Sequence, residues 1–268
     1  MFDHEIDTNK RWWNAATHVH ARSRFYDLDG FKAGACSLLP TEVRELGDVA
    51  GKRMLHLQCH FGMDTLSWAR RGADITGVDF SPDAVALARS LSEELSIPAR
   101  FIESNLYDLP KVLDERFDIV YTSYGAICWL PDIRKWGELV GRYLRPGGTF
   151  YMVEGHPFTE MIEDDTEELR MTNPYFRNGE PLRFESDETY TDSDTPMKER
   201  VTYSWVHTVG DILNSLIDAG LRIEFLHEFP FGFFARHPLM ERREAGLWYF
   251  KDPKVSIPMT ISIRARKE

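Results

Sequence analysis

Cysteine is scarce in this chain: three in 268 residues, Cys36, Cys59 and Cys128. No two stand in C-x-x-C spacing, so neither a disulfide framework nor a thiolate zinc site is implied, and no metal is expected. Basic charge is also short, with 32 Lys+Arg against 43 Asp+Glu and a net charge of −11. There is no Lys/Arg-rich run. Binding to nucleic acid rests on such charge, so a DNA or RNA partner is disfavoured. No apolar run is long enough to span a bilayer, and "MFDHEIDTNKRWW" lacks the apolar region of a signal peptide. These absences predict a soluble, cytoplasmic protein without a membrane partner. Internal repeats and low-complexity tracts are missing too.

What is present is alternation. Between about Gly51 and Gly155, short apolar runs alternate with helical patterns. Arg53–Leu57, Asp74–Asp79, Ala99–Glu103, Phe117–Ser123 and Thr149–Glu154 read as strands. Continuous apolar runs of this length suit strands buried on both faces of a parallel sheet. In "SPDAVALARSLSEEL", Ser81 reads as N-cap, Pro82 stands in the first turn and Asp83 suits the positive helix end. "PDIRKWGELVGRYLRPGG" starts near Asp132, and Pro146 with the Gly147–Gly148 pair reads as its stop. Strand–helix–strand units with right-handed crossovers give an α/β, doubly wound sheet of Rossmann-like type.

The rest divides around that core. Residues 1–45 precede the sheet, and "NKRWWNAATHVHARSRF" is their clearest helix. Residues 156–204 break the pattern and read as an insertion, organised by a local hairpin or helix. Its acidic stretch, Glu163–Glu168, reads as a solvated face. Residues 205–268 return to the core with the helix "TVGDILNSLIDAG" and the strands "LRIEFLHEF" and "IPMTISIRARK". The connection 231–253 between those strands is loaded with aromatics.

In open α/β sheets ligands bind at the carboxyl ends of the strands, where strand order reverses. The first strand ends near Leu57, so the loop Gln58–Gly62 lies there, and the helix from Met63 turns its free N–H groups toward whatever binds. Asp79 closes the second strand. Its carboxylate can accept both hydroxyls of an adenosine ribose, or it can merely cap the helix at Ser81. Glycine is absent where such loops usually carry it: Gln58 and His60 stand there instead.

The segment from Arg53 to Glu154 resembles the core of class I S-adenosylmethionine-dependent methyltransferases. "LHLQCHFG" is similar to their first motif, in which Gly62 matches the last glycine. His56 stands at the usual acid, and Gln58 and His60 stand at the other two glycines. "VDFSPDAV" resembles the second motif, which implies ribose binding by Asp79 with Phe80 beside the adenine. "FIESNLYDLP" resembles the third, with Asn105 and Leu106 at the adenine. "RFDIVYTSYGAICWLPD" resembles the fourth, in which Ser123 and Tyr124 border the methionine moiety. The resemblance covers roughly two-thirds of the chain and implies a mostly parallel seven-stranded sheet with an antiparallel last strand. Closer still, the segment resembles a bacterial subgroup with a HLQCHFG first motif. The resemblance also implies methyl transfer from S-adenosyl-L-methionine to a small molecule, leaving S-adenosyl-L-homocysteine. Side chains of Gln58 and His60 are then expected to donate hydrogen bonds to the methionine carboxylate.

Methyl transfer from a sulfonium needs alignment in a dry site, and a base only when the nucleophile carries a proton of high pKa. His156, after the fifth strand, is the first candidate base, with His20 and His207 behind it. The flanking aromatics, among them Trp12, Trp13, Phe25, Tyr26, Trp129, Trp205, Phe233, Phe234 and Trp248, read as core and lid packing or as an aromatic substrate pocket. Two further readings stay open: a protein that binds S-adenosylmethionine or S-adenosylhomocysteine without turnover, and a nicotinamide dehydrogenase. The acceptor atom and the choice between monomer and homodimer are not specified.

Overall fold

The structure, a computed structural model, describes residues 2–164, 166–191, 195–243 and 246–268. Three helices precede the sheet: α1 (Asp3–His20), α2 (Leu28–Lys32) and α3 (Pro40–Leu46). α1 begins earlier than the predicted helix and ends sooner. Asp3 and Glu5 in its first turn complement the helix dipole.

Strand and helix then alternate through β1 (Arg53–Leu57), α4 (Met63–Arg70), β2 (Asp74–Asp79), α5 (Pro82–Glu94), β3 (Arg100–Glu103), β4 (Phe117–Ser123), α6 (Ile133–Tyr143) and β5 (Leu144–Gly155). The caps form where the sequence places them. Ser81 Oγ accepts the Ala84 N–H, and the Asp132 carboxylate accepts the Lys135 N–H. The stop of α6 differs from expectation. The helix ends at Tyr143, and Leu144 is already extended. Pro146 and the glycines fall instead in a bulge of β5, where the pairing with β4 jumps from Phe117↔Leu144 to Ile119↔Thr149.

Residues 156–204 contain an antiparallel pair, β6 (Leu182–Glu185) and β7 (Val201–Ser204). Positions 165 and 192–194 of that predicted insertion lie outside the described residues. The chain continues through α7 (Val209–Asp218), β8 (Leu221–Phe229), a small ribbon of β9 (Met240–Arg242) and β10 (Trp248–Phe250), and β11 (Thr260–Lys267).

The main sheet has seven strands in the order β3-β2-β1-β4-β5-β11-β8. β1 to β5 run parallel, and β11 runs antiparallel between β5 and β8. This is the doubly wound sheet with an antiparallel last strand. Leu55, Leu57, Val120, Trp136, Met152 and Ile263 pack on one face, and Met54, Trp68, Tyr121 and Tyr151 on the other. Strand order reverses between β1 and β4, so the loops after these two strands flank the switch point. α1 is stapled to β7. The Asn9 amide donates to Tyr203 C=O and accepts the Tyr203 N–H, both at 2.8 Å.

Candidate active site

The loop after β1 keeps the backbone of a glycine loop without its glycines. Gln58 has φ +57°, His60 +49° and Gly62 +82°, all left-handed. For non-glycine residues this costs about 1–2 kcal/mol each, so surrounding bonds must hold the loop. Three do so. The Asp79 carboxylate accepts the His60 N–H at 2.8 Å, Cys59 N–H reaches Val78 C=O at 2.9 Å, and the Gln58 amide nitrogen donates to Ala126 C=O at 2.8 Å. At Gly62 a Cβ would lie 2.8 Å from the Phe101 ring and 2.9 Å from Ala88, so only glycine lets α4 start this close to β3 and α5.

One cavity of about 940 Å³ opens at the switch point. His56, Gln58, His60, Gly62, Asp79, Phe80, Asn105, Leu106, Ser123 and Tyr124 all line it. Asp79 is buried at the end of β2. It also accepts the Ser81 N–H at 2.9 Å, and burial pushes its carboxyl up to about 6. The helix cap itself is Ser81, so Asp79 ties two loops together rather than capping α5. Asn105 caps the turn at Leu106–Lys111, its Oδ1 accepting the Tyr107 N–H at 3.0 Å.

His56 is a fully buried, neutral imidazole, depressed to about 3 by desolvation. Its Nδ1 meets Thr65 Oγ1 at 2.8 Å and its Nε2 meets Ser123 Oγ at 3.1 Å. Ser123 in turn donates to Asp64 at 3.3 Å, and Ser37 donates to the other Asp64 oxygen at 2.6 Å. Asp64, in the first turn of α4, thus sets a carboxylate beside the buried His56–Ser123 pair. Asp64 lines the cavity, and burial raises its pKa. Sequence reasoning passed over it, although an acid in the first turn after a ligand loop is a signal.

Glu154 is the second omission. Its buried carboxylate accepts the N–H groups of Gly125, Ala126 (2.7 Å), Ile127 (3.1 Å) and Gly155 (2.7 Å). It therefore fixes the loop after β4 that carries Tyr124. A lone acid closing an otherwise apolar strand was its signature. Behind Tyr124, Glu42 accepts from the Tyr121 and Tyr124 hydroxyls, and burial pushes it up to about 8.

The histidines proposed as bases are placed differently. His156 does not line the cavity. Its Nδ1 accepts the Phe158 N–H at 3.0 Å and its Nε2 meets Glu228 at 2.9 Å, on the side of β5 that faces β11 and β8. His20 is fully buried and also behind the wall, its Nδ1 3.0 Å from His60 Nε2. His207 lines the cavity, with Nε2 2.7 Å from Leu130 C=O. His60 has no nitrogen to spare, because its Nδ1 accepts the Phe61 N–H at 2.7 Å. The expected donation from His60 to a bound carboxylate is thereby corrected.

The opposite wall is aromatic. Trp13, Phe25, Tyr26, Trp129, Tyr190, Trp205, Phe233, Phe234 and Trp248 border the cavity, whereas Trp12 packs with Met197 beneath it. Trp13 meets Trp129 edge-on at 5.3 Å, and Tyr124 leans on Phe233 at 4.7 Å. Arg236 sits in this wall, held by Glu160 at 2.7 Å and Asp164 at 2.8 Å, so the acidic stretch is not wholly a solvated face. Asp165, within that stretch, lies outside the described residues.

Residues 55–152 match a family described as a methyltransferase domain. Among curated proteins, the chain is similar to ubiquinone biosynthesis O-methyltransferases. That of Alkalilimnicola ehrlichii is 29% identical over 157 residues, 55% of this chain and 62% of that protein. That of Photorhabdus laumondii is 27% identical over 130 residues, 47% of this chain and 54% of that protein. The chain thus spans little more than half the length of these relatives. Among solved structures, an S-adenosylmethionine dependent methyltransferase from Mesorhizobium loti superposes with a TM-score of 0.56 at 23% identity, covering 88% of this chain and 100% of that one. A geranyl diphosphate C-methyltransferase from Streptomyces coelicolor A3(2) gives 0.53 at 12% identity, covering 85% and 77%. Residues 55–152 thus match a methyltransferase-domain family, and the chain shares the fold of these solved structures.

Proposed function

We propose that this protein transfers a methyl group from S-adenosyl-L-methionine to a small-molecule acceptor. The observation that carries the reading is convergence. Ten residues drawn from four separate stretches of sequence line one cavity at the switch point of the sheet. The cavity fits the cofactor's chemistry on its own terms. It offers a buried carboxylate at the end of β2, the start of helix α4 in its wall, and a buried acceptor without a partner among the described residues, Gln58 Oε1.

When bound, S-adenosylmethionine supplies a methyl group on a sulfonium, ready for in-line displacement. In this reading Asp79 holds the ribose hydroxyls, and Phe80, Asn105 and Leu106 border the adenine. Ser123 and Tyr124 border the methionine end, on a loop that Glu154 keeps rigid. The aromatic wall takes the acceptor, excludes water and holds it in line with the methyl group. His156 and His20 are not offered as bases, because neither side chain lines the cavity.

Residues 1–45 and 156–204 act together as the cover over a core of 46–155 and 205–268. The Asn9–Tyr203 staple and the Trp12–Met197 contact support that grouping. No helix among the described residues is long and apolar enough to cross a membrane. Three unpaired cysteines accord with a reducing, cytoplasmic setting. Incubation with methyl-labelled cofactor and an extract of small metabolites tests the activity. Label in a small product is the expected result. Tight cofactor binding with no labelled product across a broad extract would favour a binder without turnover.

A further inference from the structure

We infer that Gln58 recognises the α-ammonium group at the amino-acid end of the cofactor through its side-chain amide oxygen. The inference deepens the methyl-transfer reading and rests on it.

Hydrogen-bond polarity decides the assignment. Gln58 Nε2 donates to Ala126 C=O at 2.8 Å. Turning the amide over would set oxygen against oxygen, so the carbonyl fixes its orientation. The amide nitrogen is therefore spent, and Gln58 has no donor for a ligand carboxylate. What remains is Oε1, shut away from solvent and without a partner among the described residues. A buried acceptor left unpaired is costly, so its donor is expected to arrive with the ligand. The other side chain at a glycine position cannot serve, since both nitrogens of His60 are engaged.

The surroundings favour a cationic donor. The Glu154 carboxylate accepts the Ile127 N–H at 3.1 Å, and the Ala126 carbonyl of that same peptide unit accepts from Gln58. Asp64 and Asp79 share the cavity wall with Gln58 and Glu154. The hydrogen-bond chain polarises the Gln58 amide, and three buried carboxylates make its oxygen a better partner for an ammonium than for a neutral group. A side chain thus takes up recognition at a loop position where glycine offers only backbone.

The test is calorimetry on the full chain with S-adenosylhomocysteine, its deaminated analogue and its decarboxylated analogue. In the unmodified protein, loss of the ammonium should weaken binding roughly ten- to a hundredfold. In Gln58→Leu that penalty should shrink to within about threefold, while the penalty for losing the carboxylate stays as it was. Gln58→Ala serves if the leucine variant does not fold. An ammonium penalty as large in the variant as in the unmodified protein would overturn the inference. Failure of S-adenosylhomocysteine to bind the unmodified protein would overturn the functional reading, and the inference with it.

Discussion

His60 on the cofactor-type loop and His20 on α1 share a 3.0 Å hydrogen bond between Nε2 of the first and Nδ1 of the second. Because the Phe61 N–H points at His60 Nδ1, the His60 proton sits on Nε2 and His20 Nδ1 accepts it. Both rings are buried, and desolvation keeps both neutral, with His20 depressed to about 3. His60 is therefore a strut between loop and cover. His20→Phe strands the His60 N–H and should lower stability by about 1–3 kcal/mol in urea unfolding. Unchanged stability would remove the strut from the account.

A second expectation concerns the pair His56 and Asp64. His56 and Asp64 both lean on Ser123, so an aspartate at position 56 would set two carboxylates around one hydroxyl in a buried site. His56→Asp should cost about 3 kcal/mol or more at pH 8. The deficit should ease as pH falls, because protonating either acid relieves the repulsion. Adding Asp64→Asn should recover most of it. Equal deficits in the single and double variants would show that the two positions do not share one charge.

Gly62 supports a prediction about packing. Its φ of +82° and the 2.8 Å approach that a Cβ would make to Phe101 leave no room for a side chain. Gly62→Ala should destabilise by about 2–5 kcal/mol, the sum of backbone strain and overpacking. Thermal unfolding within a degree of the unmodified protein would contradict the loop geometry.

Much of this was legible in the sequence. Short apolar runs gave four of the five leading strands to the residue or nearly so, and the four stretches that follow strand ends all reach the cavity. What was not legible is which bonds each side chain had already spent. Chain order puts His156 beside the site, but β11 lies on its far side, and the imidazole turns there to meet Glu228. Pro146, Gly147 and Gly148 look like a helix stop, yet a helix can end one turn earlier when the next residue enters the sheet, and the sheet absorbs the surplus as a bulge. Glu154 and Asp64 were hidden for a related reason: their partners are backbone amides and hydroxyls far along the chain, which periodicity does not encode.

Asp79 gives a pH dependence with a definite sign. Its carboxyl, pushed up to about 6 by burial, must be ionised to accept two ribose hydroxyls. Affinity for S-adenosylhomocysteine should thus be level above about pH 7 and fall as pH drops through 6, approaching tenfold per unit. Asp79→Asn should flatten that profile. A profile unchanged in the variant would assign the titration to another group.

The central claim is that this cavity holds the adenosyl cofactor through Asp79, and calorimetry tests it most directly. S-adenosylhomocysteine should bind the unmodified chain one to one, NAD should not, and Asp79→Ala should weaken binding by about 1–3 kcal/mol. Binding of NAD in place of either sulfur cofactor, or an affinity untouched in Asp79→Ala, would contradict it.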